Sequence, residues 1–304
     1  MHINPVRPAT PYPFTQTGLV LARRPACGGD RLQVVECAED GVVFDACALP
    51  GEWLSDALEA PLIARTLHLV QCNGGVESLP FLIAAPPDCS GDGFPHLPET
   101  TCPASGILLG VKRLIADIQT EPLRAFLMNV FQRRDVYYAF WTMPASARHH
   151  HNGPSGLAIH SLEVAEDIAG HSGLSDLELD LGIAGALLHD IGKVWSYTDD
   201  MFPNAAGLAM GHELVGLARL ERELATLEKA WPDGSFVMRC LLSGHGRMRA
   251  NGSLPSSLLP RIKACDQRSC ERDRAGRRWS RASCPVWTPS PWDALASHID
   301  IEMP

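Results

Sequence analysis

Gly185-Ala-Leu-Leu-His-Asp-Ile-Gly-Lys193 sets a histidine and an aspartate side by side at the end of an apolar helical run. Ile183, Ala184, Ala186, Leu187 and Leu188 precede the pair, so His189 and Asp190 emerge from a hydrophobic core at a helix terminus. A carboxylate at that depth needs a cation or hydrogen-bond donors. Gly192 lets the chain turn there, and Lys193 follows. Working outward, His160 lies 29 residues before His189, His212 lies 22 after Asp190, and His245 and Asp266 follow at intervals of 33 and 21. Neutral imidazoles with anionic carboxylates are ligands for divalent first-row metals, and two such ions close together clamp a phosphate.

The settings of the other ligand-type residues agree. His160 shares a helix face with Glu163 and Asp167. His212 follows Gly211 at a helix start, and His245 sits between glycines in Ser243-Gly-His-Gly246, where backbone can approach a site closely. Asp266 lies mid-helix among Ile262, Ala264 and Cys265, an inward position for a carboxylate. Each residue alone has an ordinary structural reading. Six in the order His, His-Asp, His, His, Asp point to a metallohydrolase with two divalent ions, Mn, Fe, Co, Ni or Zn.

The 304-residue chain, 45% hydrophobic and 20% charged, is of ordinary globular composition and long enough for two domains. No apolar run approaches the roughly 18 residues of a membrane helix, and the N-terminus lacks the apolar core of a secretory signal. A cytoplasmic location without membrane contact is expected. The ten cysteines form no Cys-x-x-Cys pair, which argues against zinc ribbons and dithiol redox motifs and favours buried thiols. A net charge of −9 opposes broad capture of nucleic acid. Residues 261–281 run against that balance, with eight basic residues to three acidic ones. This strip either tracks a phosphate backbone or is a solvated helix face.

Organisation along the chain predicts an α+β, multidomain fold. Proline-rich residues 1–13 form an extended tail. Residues 14–85 read as short strands at Gly18–Ala22, Arg31–Cys37, Val42–Leu49, Leu62–Cys72 and Ser78–Ala85, with Asp40-Gly41 as a hairpin signal. Five short strands fit a small β-barrel, OB-like or otherwise, in which Phe44, Trp53 and Phe81 either stack bases or fill the core. Residues 86–104, rich in proline, read as a linker, 105–282 as an all-α domain and 283–304 as a C-terminal tail. Its helices are expected around Leu108–Ile118, from Thr120 to Arg133, and at Asp135–Thr142, Ser155–His171, Leu177–His189, Gly211–Leu227, Ser235–Leu242 and Leu258–Arg274. Ser175 and Glu178 form a capping box for the fifth of these.

The order His160, His189-Asp190, His212, His245, Asp266, together with Leu-Leu-His-Asp-Ile-Gly-Lys193, resembles the HD superfamily of metal-dependent phosphohydrolases. That resemblance implies an all-α HD-type domain in which His160, His189, Asp190 and Asp266 hold one metal. Asp190 would bridge to a second, held by His212 and His245. His149-His-His-Asn-Gly-Pro-Ser-Gly156 is similar to segments in two subgroups. One is the 3′→5′ exoribonucleases that join an OB-fold to an HD domain, with a His-His pair ten residues before the first metal histidine, as His150 and His151 stand to His160. The other is the TraI-type domains of conjugative relaxases.

Chemically, His150 and His151 would touch the scissile phosphate, protonate a leaving group or support the metal ligands. Asp190 and Lys193 complete the expected catalytic set, and Arg247, Arg249, Lys263 and Arg268 are candidate phosphate contacts. Three activities fit: a nuclease on single-stranded RNA or DNA, a relaxase-like DNA-processing protein, and a phosphohydrolase of small nucleotides or cyclic dinucleotides. Tyrosine-based nicking is disfavoured, because Tyr12, Tyr137, Tyr138 and Tyr197 are not convincingly placed.

Overall fold

Strands come first and helices after, in the order the sequence predicts. The structure, a computed structural model, describes residues 14–25, 33–39, 42–48, 60–70, 81–84, 91–198, 200–244 and 258–282. The strands are β1 (Phe14–Pro25), β2 (Gln33–Glu39), β3 (Val42–Ala48), β4 (Ile63–Val70), β5 (Phe81–Ala84) and β6 (Gly91–Asp92). β2 and β3 pair antiparallel from Gln33↔Ala48 to Glu39↔Val42, leaving Asp40-Gly41 between them, outside the described residues. β1 pairs with β2 through its second half and with β4 through its first. The register shifts between Val20 and Ala22, a bulge of the kind that bends a strand between two neighbours. β5 pairs antiparallel with β4 and meets β3 in parallel at Cys47↔Phe81.

Period-two alternation sorts these strands between two cores. Val20, Phe44, Ala46, Ala48, Leu67, Leu69 and Leu82 form a cluster confined to the sheet. Leu19, Leu21, Leu62 and Ala64 instead join the large core of the helical part. Phe44 is therefore a core residue, whereas Trp53 and the Phe81 side chain lie outside what is described. The stretch expected as a linker is well packed where described. β6 pairs with β4, and Phe94, Leu97 and Cys102 are buried in the helical core. Backbone bonds at the start of β4 complete the seam, Leu62 N donating to Gln132 O at 2.7 Å and Arg134 N to Ala60 O at 3.1 Å.

The helices are α1 (Ile107–Asp117), α2 (Glu121–Phe131), α3 (Arg134–Ala139), α4 (Gly156–Ala169), α5 (Asp176–Leu188), α6 (Lys193–Ser196), α7 (Ala205–Arg219), α8 (Glu221–Ala230), α9 (Pro232–Leu242) and α10 (Leu258–Ala282). α5 is the central one: Leu181 to Leu188 are all buried, as a helix apolar on every side must be. The Ser175–Glu178 capping box starts it as expected. Asp180, buried on α5, accepts from Thr120 N at 2.8 Å and Thr120 Oγ1 at 2.7 Å, so Thr120 stands at the N-cap of α2 but its hydroxyl bonds Asp180 and not the helix it precedes. The helix expected at Gly211–Leu227 is in fact two, α7 and α8, and Gly211 at φ 78° breaks the first within itself. Among the described residues no helix is long and apolar enough to cross a membrane.

Candidate metal centre

Four elements aim side chains at one point beside the C-terminus of α5. α4 supplies His160, fully buried. His189 is the C-cap of α5, and Asp190 follows it, 6% exposed. α7 supplies His212 and α10 supplies Asp266. Gly192 makes this approach possible, for a different reason than the turn expected of it. Its φ of −62° is ordinary helix, but a Cβ there would lie 1.8 Å from the His212 carbonyl oxygen. Only glycine lets α7 come this close.

Hydrogen bonds outside the centre fix where the imidazole protons sit. His189 Nδ1 lies 2.7 Å from the Ala186 carbonyl, which only accepts, so Nδ1 carries the proton and Nε2 a lone pair. His160 Nδ1 is 3.0 Å from Ser269 Oγ. That hydroxyl lies 2.6 Å from Glu163 Oε2 and 3.1 Å from His151 Nε2. Burial would raise the Glu163 carboxyl, but hydrogen bonds from His151 and Ser269 hold it below its ordinary value, so it is ionised and takes the hydroxyl proton. The hydroxyl oxygen then accepts from both rings, and His160 also keeps its proton on Nδ1.

The two unprotonated Nε2 atoms face each other at 3.3 Å. Asp266 Oδ1 is 3.1 Å from His160 Nε2, and Asp190 Oδ2 is 3.8 Å from it and 3.6 Å from His189 Nε2. Two imidazoles and two carboxylates converge here, with Lys193 donating to Asp190 Oδ2 from one side, a set of donor atoms that a cation binds favourably. The donor set fits a divalent metal, and the Nδ1–H bonds are the outer supports that metal-ligating histidines use. His160, His189 and Asp190 form one of two groups among the described residues whose ligand atoms lie within 4.8 Å of one another; the other is His150, His160 and Cys270.

Asp190 is held from several sides. His212 Nε2 is 2.9 Å from its Oδ1, and Lys193 Nζ donates to its Oδ2 at 2.6 Å and to Ala145 O at 2.8 Å. Burial would raise this carboxyl; Lys193, His189 and His212 outweigh it and hold Asp190 well below the usual carboxylate range. Lys193, expected in the catalytic set, is thus buried with two of its three hydrogens engaged. Burial lowers the affinity of His160 for a second proton, which keeps the ring neutral, as a ligand must be.

The triple-histidine loop folds over the centre. His151 adopts φ 47° and Ser155 φ 62°, a left-handed conformation uncommon without glycine. The loop is pinned by Ala145 N to His151 O at 2.9 Å, Ser146 Oγ to His150 O at 2.7 Å and His151 N to Asp273 Oδ2 at 3.1 Å. The His150 ring lies 5.3 Å from that of His160, and its Nδ1 is buried with no hydrogen-bond partner. Burial first, then His160, Lys193 and His151, push His150 down to about 4.

His245, Arg247 and Arg249 lie outside the described residues. Lys263 bonds Gly244 O at 3.0 Å, and half-exposed Arg268 pairs with Asp167 at 3.7 Å. Sequence reasoning passed over Ser269 and Cys270, although they follow Asp266 at i+3 and i+4 on the same face of α10. Cys270 Sγ lies 3.5 Å from Asp266 Oδ1 and is buried, which pushes its thiol up to about 12, with Asp266 adding to the effect.

This is a helical domain whose converging histidines and carboxylates could hold a metal, and residues 157–242 match the family model described as HD domain. That match lies within the helical part of the chain. The chain is 29% identical over 149 residues to the 3′-5′ exoribonuclease YhaM of Bacillus velezensis, and 28% identical over 149 residues to that of Bacillus subtilis. Each match covers 46% of this chain and 47% of the relative, so the chain spans about half the length of the curated relatives it matches. No solved structure matches it.

Proposed function

We propose that this protein is a metal-dependent phosphodiesterase that shortens single-stranded nucleic acid, RNA in the first instance. The observation that carries the reading is the meeting of His160 and His189 Nε2, 3.3 Å apart, beside the Asp190 and Asp266 carboxylates, a donor set that suits a divalent cation. His160, His189, Asp190 and Asp266 would hold one ion. Asp190 offers its other oxygen toward His212, which with His245 would hold a second. When bound, such ions supply Lewis acidity, acidifying water near neutral pH and neutralising phosphate charge.

The chain's own residues do the rest. Lys193 fixes the Asp190 carboxylate; His150, kept neutral, faces the centre from the loop as a candidate proton carrier, and His151 braces Ser269. Lys263 and Arg268, with Arg247 and Arg249, are the proposed phosphate contacts. The strand pairings support an OB-like barrel as the holder of the strand: β1–β2–β3–β5–β4–β1 is a circuit, completed by the single parallel pair Cys47↔Phe81. Choice of RNA rests on the relatives named as exoribonucleases.

Metal-loaded protein incubated with 5′-labelled single-stranded RNA, single-stranded DNA and nucleotides tests this. A ladder shortening from the 3′ end of RNA is the expected result. A single discrete cut in DNA would support the relaxase-like alternative, and action on nucleotides alone the third activity. Asp190→Ala should abolish turnover; a variant as active as the wild type would sink the assignment.

A further inference from the structure

We infer that Cys270 and His150 form, with His160, a thiol-containing metal seat that overlaps the carboxylate seat and takes thiophilic divalent ions. The inference rests on the metal-binding reading above and adds a second ligand set to it. Three observations carry it. The ligand atoms of His150, His160 and Cys270 lie within 4.8 Å of one another. His150 Nδ1 is a buried nitrogen with no hydrogen-bond partner. Cys270 follows Asp266 by one helical turn and lies 3.5 Å from its carboxylate, so the sulfur stands at the edge of the same centre.

Bond lengths of about 2.0–2.3 Å to nitrogen and sulfur bring tetrahedral ligand atoms to about 3.5 Å from one another. The trio must therefore close by up to about an ångström, against a loop held at Ala145, Ser146 and Asp273. On binding, the Cys270 S–H bond breaks, its proton leaves to solvent base, and the sulfur lone pair goes to the ion. Thiolate is a soft ligand and selects zinc, cadmium or cobalt over manganese or magnesium, which the His160–His189–Asp190–Asp266 set suits better. Because His160 serves both sets, an ion in the sulfur seat draws it away from the carboxylate seat. Thiophilic ions would then compete with the ion that supports turnover.

Cobalt(II) titration followed by absorption tests this on the full chain. The wild type should show d–d bands in the visible together with intense near-ultraviolet sulfur-to-cobalt charge transfer. Cys270→Ser, with helicity checked by circular dichroism, should lose the charge-transfer band and bind cadmium at least tenfold more weakly, with manganese affinity within twofold. His150→Gln should weaken the same band with Cys270 in place, which decides the matter if the cysteine variant does not fold. Cys265→Ser should keep it. Visible bands without charge transfer, or charge transfer that survives Cys270→Ser, would overturn the sulfur seat and leave the metal centre standing. A protein that takes up no cobalt would overturn both.

Discussion

Ser269 is one hydroxyl serving three partners, and the chemistry of the centre depends on it. Its single proton goes to Glu163, so both lone pairs are left for His151 and His160. Remove the hydroxyl and His160 loses the acceptor that keeps its proton on Nδ1, freeing the ring to present N–H toward the carboxylates. Ser269→Ala should therefore weaken metal binding by about 10- to 100-fold, measured by competition with a chromophoric chelator, while melting temperature changes little. Unchanged affinity would show that the network does not hold the tautomer. The candidate ligands stood out in the sequence, because polar residues in apolar helices need partners. Ser269 was not: a serine at i+3 gains meaning only once α10 is known to pack on α4.

At the scale of elements, the close approach of α6 and α7 decides whether Asp190 meets His212. A methyl at position 192 would fall on the His212 carbonyl oxygen and push α7 outward. Gly192→Ala should cost about 1–3 kcal/mol in urea unfolding, as overpacking does. It should also lengthen the Asp190–His212 contact, read as a change in the His212 imidazole NMR shift. The glycine was visible in the sequence, but its reason was not, since a turn and a close approach look alike in one dimension. Local signals fared better: Ser175 and Glu178 cap α5 as their spacing predicts. Strand runs were readable too, whereas the parallel meeting of β3 with β5 was not, because pairing between distant strands leaves no local trace.

Across the whole molecule, the seam between sheet and helices is anchored by a buried charge. Arg133 pairs with Asp135 at 2.7 Å and Glu223 at 3.0 Å, bonds Arg219 O at 2.8 Å and lies against the Trp195 ring, while its backbone bridges to Pro61. Replacing it removes the buried partner of Glu223 and leaves that carboxylate to the exposed Arg222, 2.8 Å away. Arg133→Met should lower unfolding free energy by about 3–5 kcal/mol, and Arg133→Met with Glu223→Leu should recover much of that. No sequence signal marked this knot, since its members are far apart in the chain. The ligands of the centre are also far apart, running from position 160 on α4 to position 266 on α10. A bound ion would thus tie α4 to α10 across the chain between them, acting on chain entropy as a crosslink does. At a hundredfold excess over its dissociation constant it should add about 2.7 kcal/mol to stability. Hydrogen exchange should locate the gain: chelation should loosen α10 first, leaving the amides of α5 as slow as before.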